Sequence, residues 1–176
     1  MFVTPRPLPR AHAAGLLLAL TAVLFGFALG GAFGAAEAPI KKRLADSGDA
    51  VVATVYNGDA VAKDAVVKKS WEYLQRAHLH GGAIGTAAAV AILALLLLCP
   101  PRPVEKASAV AFGAGALLYS LFWLLAGFKA PGMGSTGAAK EALSFIAIPG
   151  AGLCLLGLLG TIVSVAKAAF TAPPEA

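Results

Sequence analysis

Trp71–Gly85, WEYLQRAHLHGGAIG, carries the change that decides the fold. On its N-terminal side the chain is charged. On its C-terminal side, from Gly81 to Cys99, it carries no charge and ends in LLLLC. Two of the three histidines, His78 and His80, stand at the change beside Gly81, Gly82 and Gly85. The reading is a helix passing from water into a lipid bilayer, with Trp71 and Tyr73 where aromatic rings gather at the membrane–water boundary.

Composition supports a bilayer. Only 13% of the 176 residues are charged and 59% are hydrophobic, and mean hydropathy is +0.79. Soluble domains carry about 25% charged residues, so this chain has too few to coat a water-facing surface. Glycine, at 20 residues, and alanine let transmembrane helices approach closely. The net charge of +5 comes without a dense basic tract interleaved with aromatics. It fits loops that orient spans and meet anionic lipid, and it argues against a nucleic-acid partner. Cys99 and Cys154 sit at different depths of different apolar runs, which predicts two free thiols.

Working outward, four spans are predicted: 13–36, 81–99, 104–128 and 142–166, with a polar loop over 37–80. The first has about 24 uncharged residues, or about 36 Å as helix, enough to cross about 30 Å of hydrocarbon. Pro5 and Pro7 keep the residues before it from being helical. A cleaved signal peptide is the rival reading of this stretch, but its apolar run exceeds the usual ~7–15 residues. Gly26, Gly30 and Gly34 form a doubled G-x-x-x-G on one face, a packing surface for another span or for a second copy. Pro100-Pro101-Arg102-Pro103 predicts a tight hairpin between spans two and three, and Pro149-Gly150 a kink in span four.

Within 37–80, PIKKRLADSGD reads as a short amphipathic piece with Ile40 and Leu44 toward lipid. Ser47-Gly48-Asp49 and Asn57-Gly58-Asp59 are turn signals, and AVVATVY between them reads as neither helix nor strand. Asp59 is a helix N-cap. After it, Asp64, Lys68, Glu72 and Arg76 fall four apart with alternating sign, a ladder of ion pairs. Residues 60–99 form one long helix, or two joined near Gly81-Gly82.

Four spans place both termini and the 100–106 turn on one side. That side has five of the fourteen Lys and Arg; the other nine favour a cytoplasmic long loop. Six acids in the same loop and the arginines before span one pull the other way, which leaves orientation open.

Between these limits, with span three counted from Ala107, no residue is Asp, Glu, Lys, Arg or His. Ion-coupled carriers need such groups at membrane depth. A carrier or channel for an uncharged solute, lined by backbone and hydroxyls (Thr21, Thr86, Ser108, Ser120, Ser164), stays open, although such hydroxyls commonly bond across helices. His78 and His80 are the candidate cofactor site, for haem, copper or quinone. On an intact helix they point about 200° apart, so a shared metal needs a break at Gly81-Gly82 and further ligands on the same side. Met133 and Glu141 qualify and His12 does not. The bland alternative is hydrogen bonding to water, lipid or a neighbouring helix. Gly132–Gly137 spells G-x-G-x-x-G but follows a membrane helix instead of a strand, so a loop is expected.

The expectation is an all-α integral membrane four-helix bundle with a short amphipathic extramembrane helical segment between spans one and two. Its environment is the cell membrane and its first partner the bilayer. The leading functional expectation is a non-enzymatic accessory or self-associating subunit, a homo-oligomer or part of a larger membrane complex. A redox-linked subunit using His78 and His80 is the alternative.

Overall fold

The computed structural model describes residues 8–171, which excludes Pro5, Pro7 and the last five residues of the tail. Six helices follow in order: α1 Arg10–Asp49, α2 Val52–Val55, α3 Ala60–Leu98, α4 Pro103–Lys129, α5 Thr136–Ala142 and α6 Ser144–Thr171. Helices α1, α3, α4 and α6 are each long and apolar enough to cross a membrane. They alternate in direction as a four-helix bundle, and the protein is a multi-pass membrane protein.

Helix α4 is the hub. Half of its most apolar window is buried within the protein, against 17% for α1 and for α6. It packs against α1, α3 and α6, while α6 lies on the far side of α4 from α1. In water the bare outer faces of α1 and α6 would be costly. In lipid they are not, because hydrocarbon tails are as apolar as the side chains that meet them.

Backbones touch where glycine removes the side chain. A Cβ on Gly15 would come within 2.3 Å of the Ala109 carbonyl oxygen, and one on Gly113 within 2.2 Å of the Gly15 oxygen. These two glycines set the crossing of α1 and α4. Gly26 lies against Gly81 and Gly82, and Gly85 against Ala19, which sets α1 on α3. On α6, Gly150 meets the Tyr119 backbone and Gly157 that of Phe112. The G-x-x-x-G of α1 is thus divided: Gly26 and Gly30 pack inside the chain, whereas Gly34 has open space.

The segment between the first two spans is helical, as expected, but longer than a short amphipathic piece. α1 runs on to Asp49 through a kink at Ala36 (φ −140°, ψ 32°), with Pro39 inside. Proline has no N–H and its ring crowds the carbonyl four residues back, so the break falls just before it. Beyond the kink, Leu44 is buried in the protein instead of facing lipid. α1 lies there against α3: Lys41 sits 4.9 Å from the Trp71 ring centre, and Asp49 pairs with Lys63. Ser47-Gly48-Asp49 is not a turn. Gly48 is helical and buried, with Lys63 Cγ 3.0 Å from where its Cβ would be, so it serves close approach. Asn57 (φ 53°) and Gly58 (φ 79°) do make the predicted turn. The Asp59 carboxylate accepts the Ala62 N–H at 2.9 Å and caps α3.

α3 continues through Gly81-Gly82 without a break. The ion-pair ladder is not made as predicted. Lys63 pairs with Asp49 and Asp64, and Lys69 with Glu72. Arg76 turns away from Glu72 to lie 5.0 Å from the Trp123 ring centre and 5.4 Å from that of Tyr73. Tyr73 is buried between helices, so it is an internal packing residue and not a boundary ring. The proline turn behaves as read: α3 stops at Leu98, and Pro103 opens α4 at its first turn, where a missing N–H costs nothing. Residues 129–141 are not all loop, since Thr136–Ala142 form α5, capped by Ser135. Helix α6 carries Pro149 within it.

Candidate functional site

The contacts of α3 fix the depth of its histidines. Phe33 packs on Trp71 with ring centres 5.0 Å apart. Gly26 faces Gly82. On the other side, Leu74 meets Gly127, and His80 meets Tyr119 with ring centres 5.3 Å apart. Gly26 is ten residues inside the uncharged stretch 13–36 of α1, about 15 Å from its end at the helical rise. Tyr119 is similarly far inside the uncharged part of α4. His78 and His80 therefore lie level with the interior of the apolar zone of their neighbours, whereas α3's own charge pattern puts them at its edge. Arg76 is about one turn closer to the loop side. Helical side chains lean toward the N-terminus, and the N-terminus of α3 is on the loop side, so the guanidinium reaches outward along Tyr73.

The two imidazoles point to different helices. His78 Nδ1 lies 2.7 Å from the Gly26 carbonyl oxygen. A carbonyl only accepts, so Nδ1 carries the proton. Gly30 makes room for the ring: a Cβ there would stand 2.7 Å from His78 Cε1. Phe33 closes that side, with its ring centre 6.1 Å away. His80 Nδ1 donates by the same logic to the Arg76 carbonyl oxygen at 2.7 Å, one turn back on its own helix. Its ring stacks on Trp123, with centres 5.9 Å apart and planes 30° apart.

Met133 is in the turn after α4, its N–H bonded to the Lys129 and Ala130 carbonyls, and Glu141 is in α5. The structure sets His78 against α1, His80 against α4 and Met133 in that turn. Among the described residues no group of three or more His, Cys, Asp and Glu is placed to hold a metal ion. Cys99 and Cys154 are free thiols. The Gly132–Gly137 motif spans the turn after α4 and the first two residues of α5, with Gly134 at φ 72°. The Ser135 hydroxyl there accepts the Gly137 and Ala138 N–H groups.

Three span hydroxyls bond along their own helices. Thr21, Ser120 and Thr161 donate to carbonyls four residues back. The carbonyl there has a second lone pair to offer, and the hydroxyl is satisfied without a neighbour.

Two groups of polar residues escaped the sequence reading. Trp123 is buried with Nε1 unpartnered. It stands among Tyr73, Tyr119 and Phe122, with His80 and Arg76 on its ring. Its aromatic neighbours on α4 are spaced three and four apart, and that signal was present in the sequence. At the opposite end of the bundle, Glu105 and Ser164 are buried, and neither Glu105 Oε2 nor Ser164 Oγ has a hydrogen-bond partner. Counting span three from Ala107 had set Glu105 aside as loop. The chain matches no family model, no curated protein and no solved structure.

Proposed function

We propose that the protein is a small membrane subunit whose task is assembly and not catalysis, and that it joins a second copy through the outer face of α1. One observation carries this reading. Gly31 and Gly34 have open space where a Cβ would be, in register with the exposed Leu17, Leu20, Leu24 and Phe27. These six positions alternate three and four apart, the spacing of a helix–helix seam. Large residues at one end and glycines at the other let two such helices cross closely at the glycines. The internal use of His78 and His80, each bonded to a backbone carbonyl, supports the same reading.

The test is the association state of the full chain in lipid nanodiscs or by photobleaching in bilayers. Wild type should form dimers, and the double substitution Gly31→Leu, Gly34→Leu should weaken them. Gly30→Leu is unsuitable because it would strike His78. A wild type that stays monomeric at high protein-to-lipid ratio would refute the reading.

A second reading rests on Trp123. The unpartnered Trp123 indole N–H belongs to a ring stacked on His80, with centres 5.9 Å apart, so a hydroquinone or quinone head that reached this aromatic cluster would find a donor there. The chain purified from its own membranes would then carry quinone by mass spectrometry of the lipid extract, and Trp123→Phe would lower the amount. A colourless, quinone-free preparation would exclude it.

A further inference from the structure

Glu105, whose Oε2 has no hydrogen-bond partner among the described residues, lies at the end of the bundle that holds the 100–106 turn. It lines a cleft of about 270 Å³ with Leu98, Arg102, Ser164 and Lys167. Glu105 is 5% exposed and Ser164 4%, and Glu105 Oε2 and Ser164 Oγ both lack a hydrogen bond. A buried carboxyl oxygen left without a hydrogen bond costs the desolvation of that group. Arg102 and Lys167 are exposed at the rim. Leu98 and Ala168 also border an adjoining apolar hollow with Val165 and Ala169. The whole is a groove with a buried carboxyl group at its base, Arg102 at its mouth and a hydrocarbon wall beside it.

We propose that this groove binds a phospholipid with a primary ammonium headgroup, phosphatidylethanolamine in chemistry. Its ammonium donates to Glu105 Oε2 and Ser164 Oγ. Its phosphate meets Arg102 at the rim, whose guanidinium offers paired N–H groups. An acyl chain lies along Leu98, Val165 and Ala168. The orphaned oxygens select the headgroup. A choline ammonium carries the same charge but has no N–H to give, and a glycerol headgroup has hydroxyls but no positive charge. The inference rests on the four-span reading and not on the dimer, and its result is independent of association state.

The experiment offers the purified full-length chain an equimolar mixture of phosphatidylethanolamine, phosphatidylcholine and phosphatidylglycerol with matched acyl chains, and quantifies retained lipid by mass spectrometry. The ethanolamine lipid should be enriched about tenfold over the choline lipid, the discrimination of one charged hydrogen bond. Glu105→Gln should abolish the preference. A headgroup series on the wild-type chain, with no, one, two and three N-methyl groups, tests the same claim without a variant that could misfold. Retention should hold through one N-methyl group and fall in two steps, at the second and the third, where the N–H count drops below the two acceptors and then to zero. Equal retention of all three lipids, a smooth decline across the methyl series, or a folded Glu105→Gln chain that keeps its preference would each overturn the proposal.

Discussion

At the scale of the residue, glycine does two opposite jobs here, and single substitutions separate them. Adding a methyl at Gly113 drives it into the Gly15 carbonyl oxygen at 2.2 Å. Backbone on both sides must move, so Gly113→Ala should destabilise the chain by about 1–3 kcal/mol, the usual cost of overpacking. At Gly34 nothing lies within 4 Å. Within one chain only the gain in helix propensity remains, so in the dissociated monomer Gly34→Ala should be neutral or stabilising by up to about 1 kcal/mol. Thermal unfolding of both variants in one detergent checks the contrast; equal effects would contradict the assigned contacts. The sequence displayed Gly26, Gly30 and Gly34 as one face but not how it divides, because that depends on where α1 kinks and which helix crosses it. His78 was legible as a polar residue among glycines. Its partner, the Gly26 carbonyl 52 residues away, was not, since a backbone acceptor leaves no mark in side-chain pattern. Glu105 was missed for a related reason: burial at a helix start comes from other elements, among them α3 and α6, which line the same cleft.

At the scale of the element, the part of the fold that goes beyond four spans is the extension of α1 and α3 past the apolar zone. Local signals located its parts well: Asp59 as a cap, Asn57-Gly58 as a turn, the proline run as a stop. They failed at Leu44 and Gly48, where local amphipathicity was read as lipid contact and a glycine as a turn. Tertiary contact with α3 decides both. The tip of this extension is tied to the α4–α5 turn by the Tyr56 hydroxyl, which donates to the Pro131 carbonyl oxygen at 2.7 Å. Tyr56→Phe removes that bond and leaves the Pro131 carbonyl only the longer Gly134 N–H at 3.4 Å; it should cost about 0.5–1.5 kcal/mol, read as faster amide exchange over 50–60 and 131–135. Unchanged exchange there would show the bond to be idle. The same tip should loosen in alkali. Burial raises the Tyr56 pKa, and hydrogen bonds to Asp49 and then Asp64 raise that of Lys63. Both groups hold their protons longer folded than unfolded, so the folded form binds more protons and stability falls with rising pH. The loss begins as pH passes the ordinary values near about 10 and is complete above the raised ones. Amide exchange at the tip should accelerate through that window while the apolar zone stays protected, and a flat profile would refute the assignment.

At the scale of the whole molecule, the four-helix membrane architecture was the most legible feature, because it rests on long uncharged runs that no soluble surface could accommodate. The depth of the histidines was the least legible. Read along α3 alone, charge stops at the histidines and the membrane begins after them. Read across the bundle, the uncharged stretches of α1 and α4 run past them on both sides, and Trp71 faces Phe33 near the end of that zone. Placing His78, His80 and the snorkelling Arg76 inside the bilayer is the claim on which the internal carbonyl bonds, the quinone reading and the outward reach of Arg76 all depend. Leu79 reports it, since it lies between the two histidines and is 61% exposed on the outside of the bundle. The decisive measurement is spin-label accessibility at Leu79→Cys in nanodiscs, with Cys99 and Cys154 replaced by serine and Lys68→Cys as the water-side reference. The label at 79 should be relaxed by oxygen and shielded from a water-soluble nickel complex, as a label in hydrocarbon is. A nickel response at 79 equal to that at 68 would contradict the account.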